Sequence, residues 1–135
     1  MKIILESNLE ELKRVRRNVR EAALSLPNIS LDEESIGELE LAVTEAIANI
    51  IEHAYHGEKG KKIEFIIEGF ADGIQVVFHH WGKSFDPAAV PPPVFDITAE
   101  GGFGLYIISN CVDFVGYATD ESSRNTIRLI KNSRN

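Results

Sequence analysis

The sequence predicts a two-layer α/β sandwich, a mostly antiparallel mixed sheet covered on one face by three main helices. Three observations predict it. The elements run strand, two helices, hairpin, long loop, helix, hairpin. Both strand pairs are joined by short turn-forming stretches, at Asp72-Gly73 and near Glu121–Asn125, which makes them antiparallel. The helical stretches carry apolar stripes at helical spacing and need one sheet face to bury them.

"MKIILES" reads as the first strand. Ser7 followed by Glu10 fits a capping box, and Leu9, Leu12, Val15, Val19, Ala22 and Leu26 give the helix behind it a stripe ending at Pro27 and Asn28. Ser30 followed by Glu33 is a second box. It opens a long helix through about Tyr55, with Ile36, Leu39, Val43, Ala46, Ile50 and Ala54 on its core face. Gly57 and Gly60 break that helix, and "KKIEFIIEGF" and "IQVVFHHW" follow as a hairpin. Alternation puts Ile74, Val76, Phe78 and His80 on one face, and Gln75, Val77, His79 and Trp81 on the other. From Gly82 the periodicity disappears for about twenty residues, a length that in a compact domain points to function or disorder. "FGLYIISNCV" resumes a helix, and "DFVGYATD" and "NTIRLIK" close the chain as strands. No internal repeat or second domain is evident, so residues 1–135 are expected to form one domain.

Hydrophobic residues make up 44% and charged residues 26% of the 135, the mix of an ordinary globular domain. No apolar run reaches the roughly 18 residues of a membrane span. The start "MKIILESNLEELKR" lacks the pattern of a signal peptide, so the expected location is cytoplasmic. A net charge of -7 argues against a generic nucleic-acid surface but not against a bound nucleotide. The single Cys111 allows no intrachain disulfide, and its apolar stretch leads one to expect a buried, inert thiol. The basic run Lys13–Arg17 reads as a solvated helix face or as a surface for an acidic partner.

Three stretches could carry chemistry. In "LAVTEAIANIIEHAY", Glu45, Asn49 and His53 recur every four residues, and Glu45 lies about 200° around the axis from Val43, away from the core stripe. A carboxylate and an amide oxygen one turn apart can share a magnesium shell, or one can bind metal while the other handles a proton. The plainer alternative is a solvated face with Glu–His pairing. In "EGGFGLYII", Gly101, Gly102 and Gly104 lead into a helix, where close backbone approach and free N–H groups suit an anion. In "HHWGKSFDP", a strand runs through Gly82 into the long loop.

Taken in order, these stretches resemble the motifs of the Bergerat-fold (GHKL, histidine-kinase-like) ATPases, and most closely the compact anti-sigma factor serine/threonine kinases, with the pattern "EA..N...HAY … GxxFDP … GGxGLxxI". The resemblance implies that fold, with ATP and Mg²⁺ as ligands. It implies Glu45 as the catalytic carboxylate and Asn49 as the metal ligand. Gly102, Phe103, Gly104 and Leu105 would lie at the phosphates, with 88–100 as the lid. Thr126 would lie near the adenine and its water, and residues 53–55 would serve packing and hydrogen bonding. It also implies a STAS-domain anti-anti-sigma protein as substrate, a sigma factor as a further partner, and a homodimer.

The chain departs from the family pattern in the second motif. His80 stands where the pattern has the adenine-binding Asp two residues before Gly82, and Ser84 where it has a glycine. A neutral imidazole can still accept a hydrogen bond. The expected function is an ATP-dependent anti-sigma regulatory kinase. The alternative is a non-catalytic partner-switching regulator with a weak or altered nucleotide pocket.

Overall fold

The computed structural model describes residues 1–26, 29–70, 72–82 and 103–133, with the backbone alone described at 103–106. Five strands form one sheet: β1 (Lys2–Glu6), β2 (Lys62–Phe70), β3 (Gly73–His80), β4 (Phe114–Thr119) and β5 (Asn125–Asn132), in the order β1-β2-β3-β5-β4. Every pairing among the described residues is antiparallel. The helices are α1 (Leu12–Ser25), α2 (Glu33–Asn49) and α3 (Phe103–Cys111). α2 is the middle helix and packs against both others.

The period-2 pattern of β3 becomes the core. Ile74, Val76, Phe78 and His80 are all buried, and register places Ile63, Phe65 and Ile67 of β2 and Ile127 and Leu129 of β5 on the same face. The Phe65 and Phe78 rings meet with centroids 5.2 Å apart, each burial contributing roughly 1.5–3 kcal/mol. Against this face lie Val15 and Val19 of α1 and Ile36, Leu39, Val43, Ala46 and Ile47 of α2. Lys131 is also buried. Its ammonium donates to the Cys111 carbonyl at 2.6 Å and pairs with Glu38 at 3.4 Å, which ties the C-terminal end of α3 to β5 and α2.

Both helix starts differ from the sequence reading. Asn8, not Ser7, caps a 3₁₀ turn (Leu9–Glu11) that precedes α1, and this turn leaves Leu9 exposed. Ser7 is drawn into a tertiary role instead. Its hydroxyl donates to the Glu58 carbonyl at 2.6 Å and accepts from the Lys61 N–H at 2.8 Å, fastening β1 to the entry of β2. Asp32, not Ser30, caps α2 by accepting from the Ser35 N–H at 2.8 Å.

The long helix also changes character before it ends. Beyond Asn49 it widens into a π turn over Ile50–Ala54, closed by the Tyr55 N–H on the Ile50 carbonyl at 3.0 Å. His56 and Gly57 then take positive φ, 53° and 77°, and stop it. The opposite sheet face carries a Lys2–Glu64 ion pair, Arg128 over the Phe114 ring and His79 bonded to Thr126. No helix among the described residues is long and apolar enough to cross a membrane.

Candidate functional site

Glu45 and Asn49 stand one turn apart on the last stretch of α2, both half-buried, and His53 beyond the π turn is exposed. The spacing expected from sequence therefore brings two of the three polar residues to a partly enclosed position and leaves the third at the surface. Burial raises the Glu45 carboxyl above its ordinary value, and the nearby Glu52 carboxylate adds to that. A carboxylate held this way is a better base than a solvated one.

Asn49 lines a cavity of ≈ 10 Å³, the size of about one water, together with Ala46, Ile50, Ala54, His80, Ile108, Tyr117 and Ile127. The middle helix, α3 and three strands thus contribute to one wall. A nucleobase enters only if these walls part. A larger hollow of ≈ 590 Å³ opens beside Ala54 and Gly82, bounded by Lys62 and Trp81, but it includes none of Glu45, Asn49 or His80.

His80 is the chemically exposed feature of this wall although it is only 1% solvent-exposed. Its Nδ1 has no hydrogen-bond partner among the described residues. Burial, with His79 next in line, pushes its pKa down to about 4, so the ring is neutral near pH 7. Tyr55 holds it edge-on, with centroids 6.1 Å apart and planes at 77°. Tyr55 is itself fixed, its hydroxyl donating to the Lys62 carbonyl at 2.6 Å and accepting from the Trp81 N–H at 2.9 Å. The tail of the first motif is therefore the brace of the second. Gly82 completes the brace, because a Cβ there would sit 2.6 Å from the Ala54 carbonyl oxygen and 2.8 Å from the Tyr55 ring.

Thr126 borders a small cavity with His80, Tyr117 and Asn125, but its hydroxyl bonds elsewhere. The β3–β5 register pairs His79 with Thr126 and His80 with Asn125, and the Thr126 hydroxyl meets His79 Nδ1 at 2.9 Å on the face away from the helices. The residue beside His80 is Asn125, which is buried. Its Nδ2 donates to the Gly82 carbonyl at 2.9 Å and its Oδ1 accepts from the Thr119 hydroxyl at 2.7 Å. Asn125 and Tyr117, whose phenol burial pushes its pKa up to about 12, are the pocket-face residues that sequence reasoning missed. The signal for Asn125 was present, since Asn125, Ile127 and Leu129 alternate on one face of "NTIRLIK".

Phe103, Gly104 and Leu105 form the first turn of α3. Gly102 and the lid expected at 88–100 lie outside the described residues. No group of three or more His, Cys, Asp or Glu side chains among the described residues is placed to hold a metal. The donors present fit magnesium differently, as a carboxylate and an amide oxygen that leave most of the shell to water and phosphate. The orphan imidazole nitrogen likewise suits the edge of a base.

The family described as histidine kinase-like ATPase domain matches residues 5–131. Among curated proteins, the serine-protein kinase RsbW of Oceanobacillus iheyensis is 33% identical over 90 residues, covering 61% of this chain and 57% of that protein. RsbW of Bacillus subtilis is 31% identical over 90 residues, covering 61% and 56%. RsbW of Staphylococcus epidermidis is 33% identical over 109 residues, covering 73% and 66%. The matched stretch is thus less than two thirds of each relative's length. Among solved structures, the histidine kinase domain of the Erythrobacter litoralis EL346 blue-light activated histidine kinase aligns with a TM-score of 0.56 at 14% identity, over 93% of this chain and 60% of that one. The mycobacterial sensor histidine kinase MprB aligns at 0.55 and 16% identity, over 99% of each chain. At those identities the structural likeness speaks to the fold.

Proposed function

Because the chain belongs to the histidine kinase-like ATPase domain family, we propose that it binds Mg-ATP between α2, β3 and α3 and transfers the γ-phosphoryl group to a serine or threonine of a regulatory protein. The observation that carries this reading is a half-buried carboxylate with an amide one turn on, the amide sharing a cavity with a buried imidazole whose Nδ1 has no partner among the described residues. The similarity to serine-protein kinases supports the choice of acceptor.

In this reading Asn49 supplies an oxygen to Mg²⁺, which when bound neutralises phosphate charge. Glu45 orients the acceptor hydroxyl and takes its proton, a role its raised pKa suits. The first turn of α3, from Phe103 with Gly102 before it and Gly104 and Leu105 within it, offers backbone N–H groups to the phosphates. His80 and Gly82 bound the base. Asn125 takes the place beside the base that sequence gave to Thr126. The substrate class is a STAS-domain anti-anti-sigma protein, with a sigma factor as competing partner and a homodimer as the working unit. Phosphate on the acceptor would abolish one of two overlapping fits.

The test is phosphotransfer from γ-labelled ATP to a purified STAS-domain protein. Transfer to Ser or Thr is expected, with Glu45→Gln lowering the rate by about 10²–10⁴ while Mg-ATP affinity stays within a few-fold. No transfer by a chain that binds Mg-ATP would contradict the kinase assignment. The narrowness of the cavity favours a second reading, a non-catalytic partner-switching regulator, and that outcome would select it.

A further inference from the structure

We propose that His80 makes the base pocket tolerant of 6-amino and 6-oxo purines alike, so that the site takes ATP and GTP with comparable affinity. The inference rests on the nucleotide reading above and deepens it by naming what sets the base preference.

The cavity beside His80 is walled by Asn49, Ile50, Ala54, Ile108, Tyr117 and Ile127, and none of these is charged. His80 is buried, and its Nδ1 is unmatched among the described residues. An unmatched buried nitrogen is unfavourable until a ligand edge reaches it. Its cross-strand neighbour already has protein partners. Asn125 is engaged at both ends of its amide, by the Gly82 carbonyl and the Thr119 hydroxyl. The Thr126 hydroxyl is held by His79 Nδ1 on the other side of the sheet. On the β3–β5 wall, His80 is the buried side chain whose polar atom is unmatched among the described residues.

What it can read follows from its chemistry. A neutral imidazole carries its proton on either nitrogen. With Nδ1 bare it accepts from a 6-amino group, and with Nδ1 protonated it donates to a 6-oxo oxygen. A carboxylate at the same place only accepts, so it favours the amino base and repels the oxo base. The ring stays in place for either partner because the Tyr55 edge and the Trp81 N–H bond to Tyr55 fix the strand end. No cation among the described lining residues biases the tautomer.

The experiment measures dissociation constants for Mg-ATP and Mg-GTP by calorimetry on the natural chain, His80→Asp and His80→Gln. The natural chain is expected to bind the two within about fivefold, and His80→Gln, whose amide also donates and accepts, to do the same. His80→Asp is expected to move the ratio toward ATP by about 30-fold or more. If His80→Asp does not fold, the natural chain and His80→Gln decide. ATP binding with GTP at least about 30-fold weaker in the natural chain overturns the inference and leaves the nucleotide reading standing. So does a ratio unchanged in His80→Asp. Binding of neither nucleotide overturns both.

Discussion

A buried imidazole resists protonation, because a charged ring would lie in an apolar wall without a counter-ion. For His80 the consequence extends beyond the base pocket to stability. Its pKa falls from an ordinary 6.5 to about 4 on folding, so the unfolded chain binds the proton more readily. The contribution is fully present above about pH 6.5, declines as pH falls through that window and is lost below about pH 4. Urea unfolding of the natural chain should therefore lose roughly 2–3 kcal/mol across this window that a His80→Gln chain does not lose. Parallel pH dependences in the two chains would show that His80 does not titrate as described. Glu45 moves the other way, raised by burial and by Glu52. Both shifts have the same origin, the apolar surroundings in which α2 ends.

At the scale of elements, the hinge between α2 and β3 decides the site. The π turn over Ile50–Ala54 brings the Ala54 carbonyl and the Tyr55 ring against Gly82, leaving no room for a Cβ. Gly82→Ala should destabilise the fold by about 1–3 kcal/mol and weaken nucleotide binding with it, read by urea unfolding and calorimetry. An unchanged midpoint would mean that the contact is not tight. The sequence showed that Gly82 permits a turn, but not what it meets, because the partner comes from 28 residues earlier. The π turn was equally illegible, since the apolar residues of "IIEHAY" fit an α-helix as well. Ser7 illustrates the same limit. Its capping pattern is genuine, yet the Glu58 and Lys61 backbone groups claim its hydroxyl once β1 pairs. Strand alternation was the most legible signal, because it needs no partner to be read. It gave the buried face of β3 in full, and carried one strand further it would have replaced Thr126 with Asn125.

At the scale of the molecule, the described residues form a five-stranded antiparallel sheet that carries three helices on one face. The order of elements and the turn-forming stretches were enough to read that architecture. The candidate site was legible as three separated stretches, and the fold brings the first and second into contact through Tyr55, His80 and Gly82. The glycine stretch is described only from Phe103 onward, where α3 begins. Lys131 sets the other end of that helix by holding the Cys111 carbonyl.

The central claim is that this arrangement binds a nucleotide through magnesium. Calorimetric titration with ATP, with and without Mg²⁺, on the natural chain and on Asn49→Ala tests it most directly. The account expects micromolar binding of Mg-ATP that is lost when Mg²⁺ is withheld or Asn49 is truncated. Absence of binding at millimolar ATP with Mg²⁺ present, by a folded chain, would contradict it.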